Sequence, residues 1–285
     1  MIGLEKGHVV LVKHNPAWIT LAKQTIECLR PLFPTDTVFE HIGSTSIKTI
    51  KAKPIIDLAV GVDKLDEVEN ILADLEELGF LYQPTVGNEE LMYFHKKNEK
   101  GFTTHHLHIL ARLSQPFKNH LYFRDFLQSH PDIALQYEDL KISLRTRYIN
   151  DRPSYTAGKE AFIKQIVRKA QVAHFLGKTV TINIDRPIGS FHPKHPTIQY
   201  PINYGYIPGE IAPDHEELDV YLLDEQVKVK EFTGKIIAII HRENDVEDKL
   251  IMAKNENYTK KDLQAMTYFQ EQFYKSTIEL YKKGE

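Results

Sequence analysis

Cysteine is almost absent: Cys28 is the only one in 285 residues, which excludes an internal disulfide and makes the cytoplasm the expected compartment. Neither sign of charge dominates. With 36 Lys and Arg against 39 Asp and Glu, the net charge is −3 and the isoelectric point is near 6.5. No overall field therefore draws the chain to nucleic acid or to a membrane. No apolar run approaches the length that spans a bilayer, and residues 1–18 lack the continuous apolar core of a secretory signal. Lys96-Lys97 and Lys282-Lys283 are short and lack interleaved aromatics, so they read as solvated charges. Internal repeats and low-complexity stretches are missing as well. What is present is ordinary globular composition, 42% hydrophobic and 26% charged, enough for a sizeable core and a folded, soluble protein.

The length suggests two domains of typical size. Helical periodicity dominates the first part. Pro16 opens and Pro31 follows an amphipathic helix that carries Cys28, expected as a buried core thiol. Leu65, Val68, Ile71, Leu72, Leu75 and Leu78 keep helical spacing up to a stop at Gly79, and a helix is expected over 162–170. Periodicity changes near 171–178: residues 179–184 alternate polar and β-branched apolar side chains as a half-buried strand does. Domains of 1–172 and 177–285 follow.

In the second domain Asp214, Glu216, Glu217 and Asp219 place four carboxylates within six positions, hard oxygen ligands of the kind Mg²⁺ selects. Tyr200, Tyr204 and Tyr206 precede them with period two, which puts their hydroxyls on one strand face; Pro208-Gly209 is expected to end that strand. The apolar run 236–240 reads as a buried strand leading to a second acidic cluster, Glu243, Asp245, Glu247 and Asp248, followed by Lys249. An acidic surface loop is the ordinary alternative for such runs.

Residues 177–275 resemble a shortened soluble family I inorganic pyrophosphatase. The family's Asp-x-Asp-x-x-Asp signature corresponds to Asp214-His215-Glu216-Glu217-Leu218-Asp219, with Glu at the middle acidic position, and its YPxNYGYI segment stands at 200–207. The resemblance implies hydrolysis of pyrophosphate, or a related small phosphate compound, with two or more Mg²⁺ ions. By it, Asp219 bridges metals, Asp214 and Glu216 complete their shells, and Glu247 or Asp248 supplies a further ligand, with Glu243 or Asp245 before it. Asp219, Asp214, Glu247 and Tyr204 form the implied catalytic set. Lys249, Tyr274 and Lys275 are implied phosphate contacts, the last two on a closing helix. Fuller relatives carry an upstream Lys-x-Glu pair and an Arg that this chain lacks; Arg186, Lys194, His192 and His195 are the groups available in the short approach, with Arg186 taken as the phosphate contact.

The first domain reads as strand 38–42, a Gly43-Ser44-Thr45-Ser46 turn offering N–H groups and hydroxyls to an anion, then an apolar strand carrying Asp57, an expensive residue to bury without a partner. A further apolar strand covers 106–110. These blocks resemble the GrpB family over about 9–170, which implies a nucleotidyltransferase-like fold. In such folds the turn holds a nucleotide phosphate and two carboxylates two residues apart hold Mg²⁺; here Asp57 is followed at that spacing by Ala59. His41, His106 and His108 gather near Asp57 if their strands are neighbours, forming a divalent-metal or phosphate site, with Ser44, Ser46 and Lys53 completing it; satisfied core or surface histidines are the equal alternative. Arg145, Arg147 and Arg152 read either as a basic group that steers a nucleotide or as partners of Glu138 and Asp139.

The expected architecture is α+β: a nucleotidyltransferase-like mixed sheet with helices, then a small OB-like β-barrel with a C-terminal helix. The expected function is pyrophosphate hydrolysis fused to nucleotide binding or transfer. A degenerate phosphate- or nucleotide-binding regulatory protein is the competing expectation, and a homo-oligomer is left open.

Overall fold

The structure, a computed structural model, describes residues 2–5, 7–149 and 151–282. The chain divides into two compact units, Met1–Val167 and Arg168–Glu285.

The first unit contains α1 (Ala17–Leu29), β1 (Val38–Ile42), β2 (Ile56–Val62), α2 (Leu72–Glu77), β3 (Phe80–Tyr82), β4 (Leu91–Lys97), β5 (Thr103–Ala111), α3 (Gln115–Ser129), α4 (Pro131–Arg147) and α5 (Arg152–Ala157); α6 (Glu160–Phe175) runs through the division. Its sheet has the order β1-β2-β5-β4-β3. The apolar run of β2 is buried almost throughout because the strand is central, antiparallel to β1 and parallel to β5. Trp18, Ala22 and Leu29 of α1 join Leu58, Val60, Leu107 and Phe94 in one core. A second core forms where Ile47 and Ile50 meet Leu127, Ala134, Tyr137 and Ile166.

The second unit contains β6 (Thr179–Arg186), β7 (Asn203–Ile211), β8 (Glu217–Leu222), β9 (Glu231–Arg242), β10 (Lys249–Ala253), α7 (Lys260–Glu271) and β11 (Ser276–Leu280). The sheet order is β10-β8-β7-β6-β9-β11, and β10 also pairs with β9, so the ladder returns on itself. The architecture is thus α+β with two sheets. Gly205 lies where β7 crosses β6: a Cβ there would stand 1.9 Å from the Asn183 carbonyl oxygen, so only glycine permits this pairing.

Four expectations need correction. Cys28 is exposed, because α1 buries Trp18, Ala22, Thr25 and Leu29, a stripe that leaves position 28 outside it. The 65–78 helix is a 3₁₀ segment, Leu65–Ile71, followed by the short α2. Pro208-Gly209 does not end β7: the strand runs on to Ile211 and a register shift between Tyr206 and Ile211 absorbs the pair. The end of the chain's described part is a strand, β11, hydrogen-bonded to β9, with α7 before it.

Candidate phosphate and metal sites

In the second unit, β8 and β10 are parallel neighbours with Val220 opposite Leu250. Asp219 and Lys249, one residue earlier on each strand, therefore emerge side by side. The Lys249 ammonium donates to Asp219 Oδ2 at 2.5 Å and also to Glu247 Oε2, while the Asp219 N–H points at Glu247 Oε1 from 3.4 Å. Glu247 and Lys249 are both buried. Burial, together with the negative charges of Asp219 and Asp214, pushes the Glu247 carboxyl above its ordinary range against the pull of Lys249. For Lys249 burial opposes the charge, but Asp219 and Glu247 outweigh it and raise the ammonium above its ordinary value. The buried Tyr204 hydroxyl bonds Asp219; burial and that carboxylate hold its proton on far above the usual phenol range. The Arg186 guanidinium lies 5.3 Å over the Tyr204 ring and pairs with Asp185 at 3.1 Å. Arg186 Nε and the Tyr200 hydroxyl are buried with no hydrogen-bond partner among the described residues.

The other expected ligands make their hydrogen bonds and ion pairs outside this cluster. Asp214 caps its own turn, accepting from the Glu216 N–H at 3.0 Å, and both side chains are exposed. Asp245 pairs with Arg242 at 2.9 Å. Asp248 accepts from Arg168, from the Arg242 N–H at 3.0 Å and from His241, so its oxygens are already engaged. Tyr274 and Lys275 lie between α7 and β11, not on a closing helix. The Tyr274 ring packs 3.7 Å from the Arg242 guanidinium carbon, and Lys275 pairs with Glu243 at the surface. Among the described residues, no three His, Cys, Asp or Glu side chains stand together as a metal-holding group.

In the first unit the parallel register sets Asp57 against His106, whose Nδ1 donates to Asp57 Oδ1 at 2.8 Å. Burial works against the Asp57 carboxylate, but His106, His108 and Lys53 hold it well below its ordinary range. Gly43, at φ +68°, passes so close that a Cβ would stand 2.4 Å from Asp57 Oδ2. His108 continues the row past Tyr93, ring centroids 5.1 Å apart, to His120 at 5.2 Å. His41 does not join it. Register pairs His41 with Leu58 and Ile42 with Asp57, so the period of two turns His41 to the opposite face, where it bonds Thr45 at 3.0 Å. The expected three-histidine grouping is therefore split by the sheet. Ser46 bonds the Gly43 carbonyl at 2.7 Å within its own turn, and that turn is a single 3₁₀ turn, Ser44–Ser46, not the start of a helix. Ser44 accepts from the Lys141 ammonium at 3.1 Å. Burial and the positive charges of Lys159 and Arg152 lower the Lys53 ammonium to about 7. Glu138 pairs with Lys51 at 2.9 Å, and among the described residues no ion pair joins it to Arg145, Arg147 or Arg152.

Against known families, residues 8–169 match the model of the GrpB protein family. The chain belongs to the GrpB family. Residues 174–283 match the inorganic pyrophosphatase family model, so a GrpB part is fused to a pyrophosphatase part. Glutamate-rich protein GrpB of Alkalihalophilus pseudofirmus is 34% identical over 173 residues, 59% of this chain and 99% of that protein. YqkA of Bacillus subtilis is 32% identical over 167 residues, 58% of this chain and 48% of its own length. The crystal structure of the conserved protein GrpB from Enterococcus faecalis aligns with TM-score 0.52 and 32% identity, covering 56% of this chain and 96% of that one.

Several residues of this GrpB-pyrophosphatase chain carry structure that the linear pattern did not mark. Arg242 ends the apolar run of β9 and bonds Glu271 from Nη2 at 2.5 Å and from Nε at 3.2 Å; Tyr221 donates to the same carboxylate at 2.7 Å. Arg168 reaches the carbonyls of Arg242 and Asp245 as well as Asp248. Lys141 occupies a stripe position of α4 together with the buried Ala134, Tyr137 and Leu144. A charged residue at apolar spacing was the signal available for it.

Proposed function

We propose that the pyrophosphatase part hydrolyses inorganic pyrophosphate, or a related small phosphate compound, with Mg²⁺, and that the GrpB part binds or transfers a nucleotide. Pyrophosphate released by transfer would then be destroyed within the same cytoplasmic chain. We take the domains as 1–172 and 177–285, the first nucleotidyltransferase-like and the second an OB-like barrel closed by the β9–β10 pairing. The observation that carries the reading is the convergence of Asp219 and Glu247 on one cation, the Lys249 ammonium, beside the Tyr204 hydroxyl.

This donor set fits Mg²⁺ in its chemistry: two carboxylates close enough to share one positive charge offer the hard oxygens the ion takes. Asp219 and Glu247 would hold the metal, with Asp214 and Glu216 reaching in from their turn. Bound, Mg²⁺ supplies charge neutralisation on the phosphoanhydride and a more acidic water. The chain's own part is positioning. Lys249, released from one carboxylate, and Arg186 hold phosphate oxygens; the orphaned Arg186 Nε and Tyr200 hydroxyl are donors with no other partner among the described residues. Tyr204 donates to Asp219 and orients its carboxylate.

Phosphate release from pyrophosphate, with Mg²⁺ titrated in, tests the proposal. Metal-dependent turnover in the parent, abolished in Asp219→Asn, is expected; a parent inert at every Mg²⁺ concentration would sink the hydrolase assignment. One feature favours a second reading, a degenerate binding module with a regulatory role: Ala59 stands two residues after Asp57 on β2. Nucleotide binding without turnover in either part would select it.

A further inference from the structure

Three lysines of the first unit gather beside carboxylates whose hydrogen bonds go to other partners. Lys141 is 2% exposed, yet its ammonium meets only neutral oxygens, Ser44 Oγ at 3.1 Å and the Lys51 carbonyl at 2.5 Å. Lys53 and Lys159 stand against one face-bearing residue, Tyr155, at 5.7 and 4.8 Å from its ring centroid, and Lys141 lies 4.7 Å from that of Tyr137. The three act on one another as like charges, and Arg152 adds a fourth. Two carboxylates are near, and both are engaged: Asp57 with His106, Glu138 with the Lys51 backbone and ammonium. An ammonium taken out of water with no carboxylate bonded to it is costly to bury, and a fold keeps such a group where something else neutralises it.

We propose that Lys53, Lys141 and Lys159, with the Ser44 hydroxyl, form the binding site of a phosphate chain, that of a nucleotide or of free polyphosphate. Several ammoniums in one place, whose protons a bound anion would help to hold, match an anion with several charges better than a single carboxylate or a monophosphate. Tyr137 and Tyr155 supply rings over which the ammoniums of Lys141 and Lys159 lie. A nucleic-acid polymer is disfavoured by the net charge of −3. The proposal deepens the reading of the GrpB part given above and rests on it for the class of ligand. Pyrophosphate hydrolysis does not enter it.

The test uses Trp18, the chain's one tryptophan, buried in the core of the first unit, so that its fluorescence follows unfolding of that unit. Full-length protein is heated in EDTA with inorganic triphosphate, with ATP, or with sodium chloride at equal ionic strength. Triphosphate at a hundredfold excess over Kd should raise the Trp18 midpoint by roughly 5 °C over the chloride control. Lys159→Gln and Lys53→Gln, at half-buried positions that keep the fold testable should Lys141→Met fail to fold, should each remove most of that shift. A shift with triphosphate and none with ATP keeps the anion site and overturns nucleotide binding. No shift with either, or a shift unchanged in both glutamine variants, overturns the site.

Discussion

Single atoms decide the chemistry of the Asp219 cluster. Tyr204→Phe removes one hydroxyl that donates to Asp219 and leaves the ring packing against Tyr200 and Tyr221. Loss of one oriented donor at a charged centre lowers turnover on the order of 10²-fold, so phosphate release by this variant should fall by about that factor with its unfolding midpoint nearly unchanged. Gly205→Ala is a contrasting case. The added methyl meets the Asn183 carbonyl across the β6–β7 pair, and chemical denaturation should show roughly 1–3 kcal/mol of lost stability. Arg242→Met strips the buried Glu271 of both its guanidinium bonds, and the uncompensated carboxylate should cost about 3–5 kcal/mol, read in the same way. Tyr204 and Gly205 were legible in the amino-acid sequence because a phenol donor and a tight strand crossing each demand a particular residue type, and Asp219 stood out as one of four closely spaced carboxylates. Arg242 and Glu271 were not, since their pairing spans 29 positions and nothing local requires it.

At the level of elements, the proposed hydrolase site depends on the position of the loop between β9 and β10. The loop carries Glu247, and it is held by Arg168 on α6, which bonds the Asp245 carbonyl and Asp248 in the loop and the Arg242 carbonyl at the end of β9. Arg168→Gln should leave the strands paired but free the loop, and hydrogen exchange of amides 243–248 should speed up by a clear margin over that of β10. The same scale shows why Asp248 looked like a metal ligand in the sequence: adjacent residues in an irregular loop can point to different partners, and only packing against α6 separates Glu247 from Asp248. Strands were the most legible elements. β1, β2, β5 and β6 arise where alternation or an apolar run announces them, whereas the helical spacing of 65–78 could not reveal that its first half winds as 3₁₀. His41 failed as a partner of Asp57 for a reason of register, since a shift of one position on β1 exchanges the faces of the sheet.

On the scale of the whole molecule, the first unit should be least stable in acid. Burial lowers His41 and His105 to about 4 and His108 to about 3 from 6.5, with like charges adding to it. The unfolded chain then binds protons that the folded one refuses, so stability present above pH 6.5 drains away as pH falls toward 4. Lys53 and Lys141, lowered by burial to about 7 from 10.5, act in the same direction at higher pH: stability should still rise between pH 7 and 10. The Trp18 midpoint measured at pH 5, 7 and 9 should increase along that series, and a maximum at pH 5 would contradict the assignment. Among the described residues no helix is long and apolar enough to cross a membrane. The two-part organisation, the family of each part and the grouping of Tyr204, Asp219 and Lys249 as candidates could all be read from the order of residues, because these rest on motifs with fixed local spacing. Tertiary structure alone decided which carboxylates share a cation, which face of the sheet His41 occupies, and that Lys53, Lys141 and Lys159 meet. Each of those depends on register and packing between segments far apart in the chain, where charge and burial act through space and leave no trace in the order of residues.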